Sequence, residues 1–341
     1  MEVTYPPKTF HLPETMAGWP LPRRLNVFYG NVSYESANWI RDFHAFSSTA
    51  QRAFDKCNFG LLAALAYPTQ SRDQYRSACD LMNLFFVFDE YTDALNEAGT
   101  QTLAEISMDA MINPPKPRPE KESVVGEISR QFWNRVIEHA TPTCQARLRW
   151  SWERFVYSVV EQARDREGGR LRTVEEHMAI RRLTIGAEPC YALAEMELEI
   201  PREVYDHPVV HGLRADITDI IIYDNDLASY KKEQASGDDL HNIITITMHE
   251  NNLDLDGALQ WVAARHKERF NHALATWPRA LSLTFSPQVD RDLACYLDHL
   301  MNWPRANDCW NFENGRYFGT EGLQIQKHRA VMLLQKRSVM K

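Results

Sequence analysis

From Ser33 onward the apolar residues return at helical spacing, as in Trp39, Phe43, Phe46, Ala50, Phe54, Cys57 and Leu61, and no comparable run alternates with period two. That period confines the chain to an all-α fold. Ser71 with Gln74 and Thr173 with Glu176 read as capping boxes, the first predicting a helix through Leu95. Pro68, Pro114 to Pro119, Pro142, Pro201, Pro208, Pro287 and Pro304 are expected between helices, where their missing N–H does least harm. Roughly ten to twelve helices follow from this punctuation. No fixed-period repeat is present, so a solenoid is excluded. With 341 residues, 44% of them hydrophobic, and no low-complexity block, residues 1–341 are predicted to form a single domain around one large core. Met1 to Leu25 read as an irregular N-terminal arm, and Gly322 to Lys341 as a disordered tail.

Several helical segments are apolar on nearly every face, including Leu81 to Phe88 and Asp216 to Tyr223, and belong inside the bundle. Neither reaches the roughly 20 residues needed to span a membrane. The formal charge is −8, with Lys and Arg scattered among acids, which argues against nucleic acid or an anionic membrane as partner. The N-terminus lacks a signal-like apolar run, and the six cysteines include no CxxC pair, so a cytoplasmic protein with structural thiols is expected. Nothing in the sequence sets an oligomeric state.

Both buried helices finish in oxygen donors. After Phe85-Phe86-Val87-Phe88 comes Asp89-Glu90-Tyr91-Thr92-Asp93, whose Asp89 and Asp93 share a helix face while Glu90 lies about 100° round. On a polar helix such a cluster would be an ordinary solvated turn; the preceding phenylalanines favour a pocket instead. Beyond Tyr223, Asn225, Ser229 and Glu233 recur at i, i+4 and i+8 and line one face over about 12 Å. Amide, hydroxyl and carboxylate oxygens suit a hard cation with open coordination positions. Lys232 falls near the same face, within reach of an anion that the cation also touches.

The acidic pentapeptide resembles the aspartate-rich motif of class I terpene cyclases, and Asn225, Ser229 and Glu233 match that family's NSE triad. Arg316-Tyr317 resembles its C-terminal RY pair, and Arg181-Arg182-Leu183-Thr184-Ile185-Gly186 its diphosphate-sensor segment. These elements stand in the family's order between residues 85 and 317. The chain is most similar to fungal, particularly basidiomycete, sesquiterpene cyclases, and within them to the protoilludene-forming type; it departs in reading DExxD where DDxxD is usual. The resemblance implies a helical bundle with a central cavity, farnesyl diphosphate as substrate and a C15 hydrocarbon, Δ6-protoilludene through 1,11 closure, as product. It also implies three Mg²⁺ ions, two at Asp89 with Asp93 assisting and one at Asn225, Ser229 and Glu233. Arg182, Lys232, Arg316 and Tyr317 would then hold the diphosphate, with Arg182 as its sensor, Gly186 at a helix break and Arg181 on the surface. Phe85, Phe86 and Trp310 are the aromatic candidates for facing a carbocation, with plain core packing as their alternative. A chain-elongating prenyl transferase and a non-enzymatic all-α interaction protein are the competing readings.

Overall fold

The computed structural model describes residues 9 to 334, so the expected arm before Thr9 and the tail beyond Leu334 lie outside the described residues. The chain runs β1 (Thr9–His11), α1 (Tyr29–Asp42), α2 (Ser48–Lys56), α3 (Phe59–Ala66), α4 (Arg72–Thr92), α5 (Glu97–Ile112), α6 (Val124–Ile137) and α7 (Pro142–Gly168). It continues through α8 (Val174–Thr184), α9 (Ala187–Leu193), α10 (Arg202–Tyr205), α11 (Pro208–Ser236), α12 (Ile243–Glu250), α13 (Leu255–Leu281), α14 (Pro287–Glu313), α15 (Gly322–His328) and β2 (Ala330–Met332). Among the described residues the fold is all-α apart from one small ribbon. Among the described residues no helix is long and apolar enough to cross a membrane.

Local signals set the helix ends. In α4 the Ser71 hydroxyl accepts from the Gln74 amide while the Gln74 side chain accepts from Ser71 N at 2.9 Å. Thr173 and Glu176 do the same for α8. Pro142, Pro208 and Pro287 open α7, α11 and α14, where a missing N–H costs nothing. Pro304 departs from expectation, for it sits inside α14. A proline there cannot donate to the carbonyl one turn back and disturbs that turn; the Trp19 indole donates to Met301 O at 3.0 Å beside the break.

The tail expected from Gly322 is also corrected. Gly322 to His328 is helical, and β2 pairs antiparallel with β1, Phe10 opposite Val331. Apolar burial explains this: Phe10 and Val331 join Tyr230, Phe312 and Ile325 in a second core cluster against the outer side of α11. Helix α11 packs along both α13 and α14. Its run Ile217 to Tyr223 is buried throughout. All six cysteines are free, five of them buried.

Candidate active site

Helices α3, α4, α7, α8, α9, α11 and α14 surround a cavity of about 1390 Å³, its open mouth included. Depth follows position along the helices. On α4, Met82 lies deepest, Phe85 and Phe86 form the wall one turn on, and Asp89 and Asp93 reach the mouth. On α11, Ile221 lies below Asn225, Lys232 and Glu233, and on α14 Trp303, Asn307 and Trp310 climb toward Arg316 and Tyr317. An apolar chamber therefore ends in a charged rim.

Asp89 and Asp93 both border the cavity, whereas Glu90 does not. Arg316 donates to Asp89 Oδ2 at 3.2 Å and to Glu90 Oε1 at 3.4 Å, and its guanidinium lies 4.9 Å from the Phe86 ring centre. Desolvation at the crowded rim, with the charges of Asp89 and Asp238 adding to it, pushes the Asp93 carboxyl up to about 7. Across the mouth, burial and then the charge of Asp226 push Glu233 up to about 7. Acids that resist ionising in each other's company gain from a bound cation.

Within the triad only Asn225 and Glu233 border the cavity; Ser229 is buried one layer back. Asn242 organises this face, its Nδ2 donating to Asp226 O at 2.8 Å, to Glu233 Oε2 at 2.9 Å and to Ser229 Oγ at 3.4 Å. Asn225 Nδ2 donates to the Tyr317 hydroxyl at 3.0 Å, tying the RY pair to the triad. Asn225 and Glu233 thus present their oxygens to the cavity, held by donors from Arg181 and Asn242 that a metal ion can displace, with Ser229 one layer behind them on the same helix. The donor set fits Mg²⁺.

The two adjacent arginines are placed the other way round from expectation. Arg181 borders the cavity and donates to Asn225 Oδ1 at 2.7 Å and to Asp226 Oδ1 at 2.8 and 3.1 Å. Arg182 is absent from the lining and donates to both oxygens of Asp219, at 2.7 and 2.9 Å, with 43% of its side chain exposed. Helical spacing fixes the 100° between neighbours but not which of them turns inward. Buried Asp226 decides it. Burial alone opposes its charge, yet Arg181 and His177 hold its carboxyl below the usual range.

Gly186 stands between α8 and α9 with φ +72°, in the left-handed region. A Cβ there would come within 2.8 Å of Phe85 Cε1. Both constraints demand glycine. Phe85 in turn meets Trp152 and Phe155 at 5.0 and 4.8 Å between ring centres, while Phe86 stacks on Phe59 at 3.7 Å and Trp310 meets Tyr317 edge-on at 5.7 Å.

The family profile described as terpene synthase family 2, C-terminal metal binding, matches residues 80–272. A sesquiterpene synthase 14 of Postia placenta is 50% identical over 97% of this chain and 93% of its own length. A Δ6-protoilludene synthase 18 of the same fungus is 45% identical over 96% and 93%, and a Δ6-protoilludene synthase of Armillaria gallica 44% identical over 95% and 94%. The chain belongs to the terpene synthase family. Among solved structures, a cucumene synthase variant matches the synthase fold with TM-score 0.76 at 22% identity, covering 86% of this chain and 98% of its own. An α-eudesmol synthase matches with TM-score 0.75 at 20% identity, covering 86% and 97%. Membership sets aside the elongating and non-enzymatic readings. The sequence reading missed Asn242, Arg166, Asp238 and Asn307. Arg166 caps the carbonyls of Thr92 and Leu95 at 2.9 and 3.0 Å, fixing the end of α4 that carries Asp89 and Asp93. No motif announces these residues: Arg166 lies more than 70 residues from the carbonyls it caps, and Asn242, though only 9 to 16 residues from its partners, reaches them from the start of a different helix.

Proposed function

We propose that the synthase ionises farnesyl diphosphate and cyclises the resulting cation to a C15 hydrocarbon, Δ6-protoilludene, through 1,11 closure. One observation carries the ionisation and cyclisation: carboxylates and cationic side chains gather at the rim of a chamber whose walls include Phe85, Phe86, Trp303 and Trp310. The product assignment rests on relatives that bear that name at 44 to 45% identity. Asp89, Asp93, Asn225, Ser229 and Glu233 are the residues that would hold Mg²⁺, three ions in all by family likeness, and bound Mg²⁺ supplies electrostatic stabilisation of the leaving diphosphate. The rest follows from this chain's own groups. Arg181, Lys232, Arg316 and Tyr317 surround the rim, where they can donate to phosphate oxygens as the C–O bond breaks and its electron pair leaves with the diphosphate. Arg181 takes the sensing role that the motif assigned to Arg182, because it is the one that reaches both the cavity and Asn225. Aromatic faces exclude water and attract the allylic cation, each by roughly 0.5 to 2 kcal/mol. Loss of a proton from carbon closes the sequence. The test is incubation with Mg²⁺ and farnesyl diphosphate, followed by analysis of volatiles and released pyrophosphate. Δ6-Protoilludene is the expected main volatile, and excess EDTA should stop release. Turnover in EDTA would refute the metal dependence; a main product from 1,6 or 1,10 closure would refute the closure mode.

A further inference from the structure

Trp303, Asn307 and Trp310 lie at i, i+4 and i+7 on α14 and present one face to the cavity. Two indoles suit a wall that must face a cation; a carboxamide between them does not follow from packing. Asn307 is 5% exposed, its side chain makes no hydrogen bond, and its Nδ2 is buried without a partner. Its Oδ1 is not hydrogen-bonded either, and Asn307 lines the cavity, so no partner within the protein stops the carboxamide from turning its oxygen to the cavity. Buried amides that stay unpaired are uncommon and destabilising, and a leucine of similar size would fill the place without that cost. Of the polar groups nearby, Cys190 Sγ donates to Gly186 O at 3.2 Å and the Tyr67 hydroxyl to Cys190 O at 2.9 Å, while Trp303 Nε1, one turn earlier on the same face, is buried without a partner as Asn307 Nδ2 is.

The depth of the residue says what the oxygen faces. Asn307 lies six residues before the end of α14, about 9 Å down the helix from Glu313, after which the chain reaches Arg316 and Tyr317 at the rim. That is beyond the diphosphate and beside the hydrocarbon. Pro304, three residues before Asn307, removes the helical bond to the Leu300 carbonyl, so α14 is disturbed in the turn that precedes Trp303 and Asn307.

We infer that Asn307 is a specificity-determining residue whose carboxamide oxygen stabilises the positive charge on a ring carbon after the first closure, holding the cation on the route to the more cyclised product. The oxygen acts as a fixed dipole; it neither takes nor gives a proton. The inference rests on the proposed cyclisation of farnesyl diphosphate, with that ionisation measured separately in the test. Asn307→Leu removes the oxygen at nearly constant volume, and Asn307→Ala removes it while enlarging the cavity. For each variant, pyrophosphate release, product distribution, melting temperature and affinity for a C15 trialkylammonium cation are measured beside the parent enzyme. In both, pyrophosphate release should stay within about threefold of the parent, while the share of the parent's main product falls at least about fivefold in favour of less cyclised hydrocarbons. The ammonium cation should bind each variant at least about threefold more weakly, and the melting temperature of Asn307→Leu should be equal or higher. A parental product distribution in Asn307→Leu with an altered one only in Asn307→Ala would show that shape, not the oxygen, decides, and would overturn the inference. So would ammonium binding unchanged in both. Failure of the parent enzyme to release pyrophosphate from farnesyl diphosphate would instead remove the substrate reading on which the inference stands.

Discussion

Exchanging the two adjacent arginines for lysine, one at a time, separates the cavity-facing residue from its neighbour. Arg181→Lys keeps the charge but loses the fork that serves Asn225 Oδ1 and Asp226 Oδ1 together through three hydrogen bonds. A hydrogen bond to a charged group is worth about 1.5 to 3 kcal/mol, so losing one that the diphosphate uses lowers kcat/KM by roughly 10- to 150-fold. Folding suffers less, because Asp226 keeps the Ile243 amide at 2.9 Å and a lysine charge nearby; about 1 to 2 kcal/mol is expected. For 341 residues the unfolding entropy is roughly 0.7 kcal/mol/K, which makes that a drop of about 1 to 3 °C in Tm. Arg182→Lys is different. Its side chain is 43% exposed, and Asp219 retains Arg269 at 3.4 Å, so the cost is at most about 1 kcal/mol, with kcat/KM within about threefold of the parent. Steady-state pyrophosphate release and calorimetry measure both quantities. A tenfold loss in Arg182→Lys alongside full activity in Arg181→Lys would refute the assignment.

Two further outcomes follow from the geometry. Gly186→Ala must adopt φ near +72° and seat a Cβ 2.8 Å from Phe85 Cε1, which together cost about 2 to 5 kcal/mol; calorimetry should show a Tm lower by about 3 to 7 °C, and an unchanged Tm would sink the reasoning. Burial, with the charge of Asp224 adding to it, pushes the Asp308 carboxyl up to about 7, above its unfolded value. The protonated form therefore stabilises the fold fully below about pH 4, and that contribution, at most about 4 kcal/mol, is lost as pH rises through 7. Asp308→Asn should flatten urea-measured stability between pH 4 and 7, and a parental slope in this variant would contradict the placement.

Helical period, capping boxes and the two oxygen-donor clusters were legible in the sequence because each depends on residues within a turn or two of one another. The α4 and α8 starts, the break at Gly186 and the burial of Ile217 to Tyr223 are of this kind. The cavity is not. Periodicity states that Arg181 and Arg182 diverge by about 100°, but only the packing of α8 on α11 chooses which of them meets Asp226 and which Asp219. Ser229 shares a face with Asn225 and Glu233 in sequence, yet Asn242, brought in by the start of α12, holds it a layer back. The ribbon of β1 and β2 joins residues more than 300 apart, and its three-residue strands carry no local signal strong enough to separate them from a disordered end. Asn307 shows the same limit most plainly. Its sequence neighbours mark it as one more polar residue on a helix, and only the walls supplied by α4, α9 and α11 make it an unpaired carboxamide lining the cavity. Local chemistry chose the ligand types; long-range apolar packing chose which of them share a cavity.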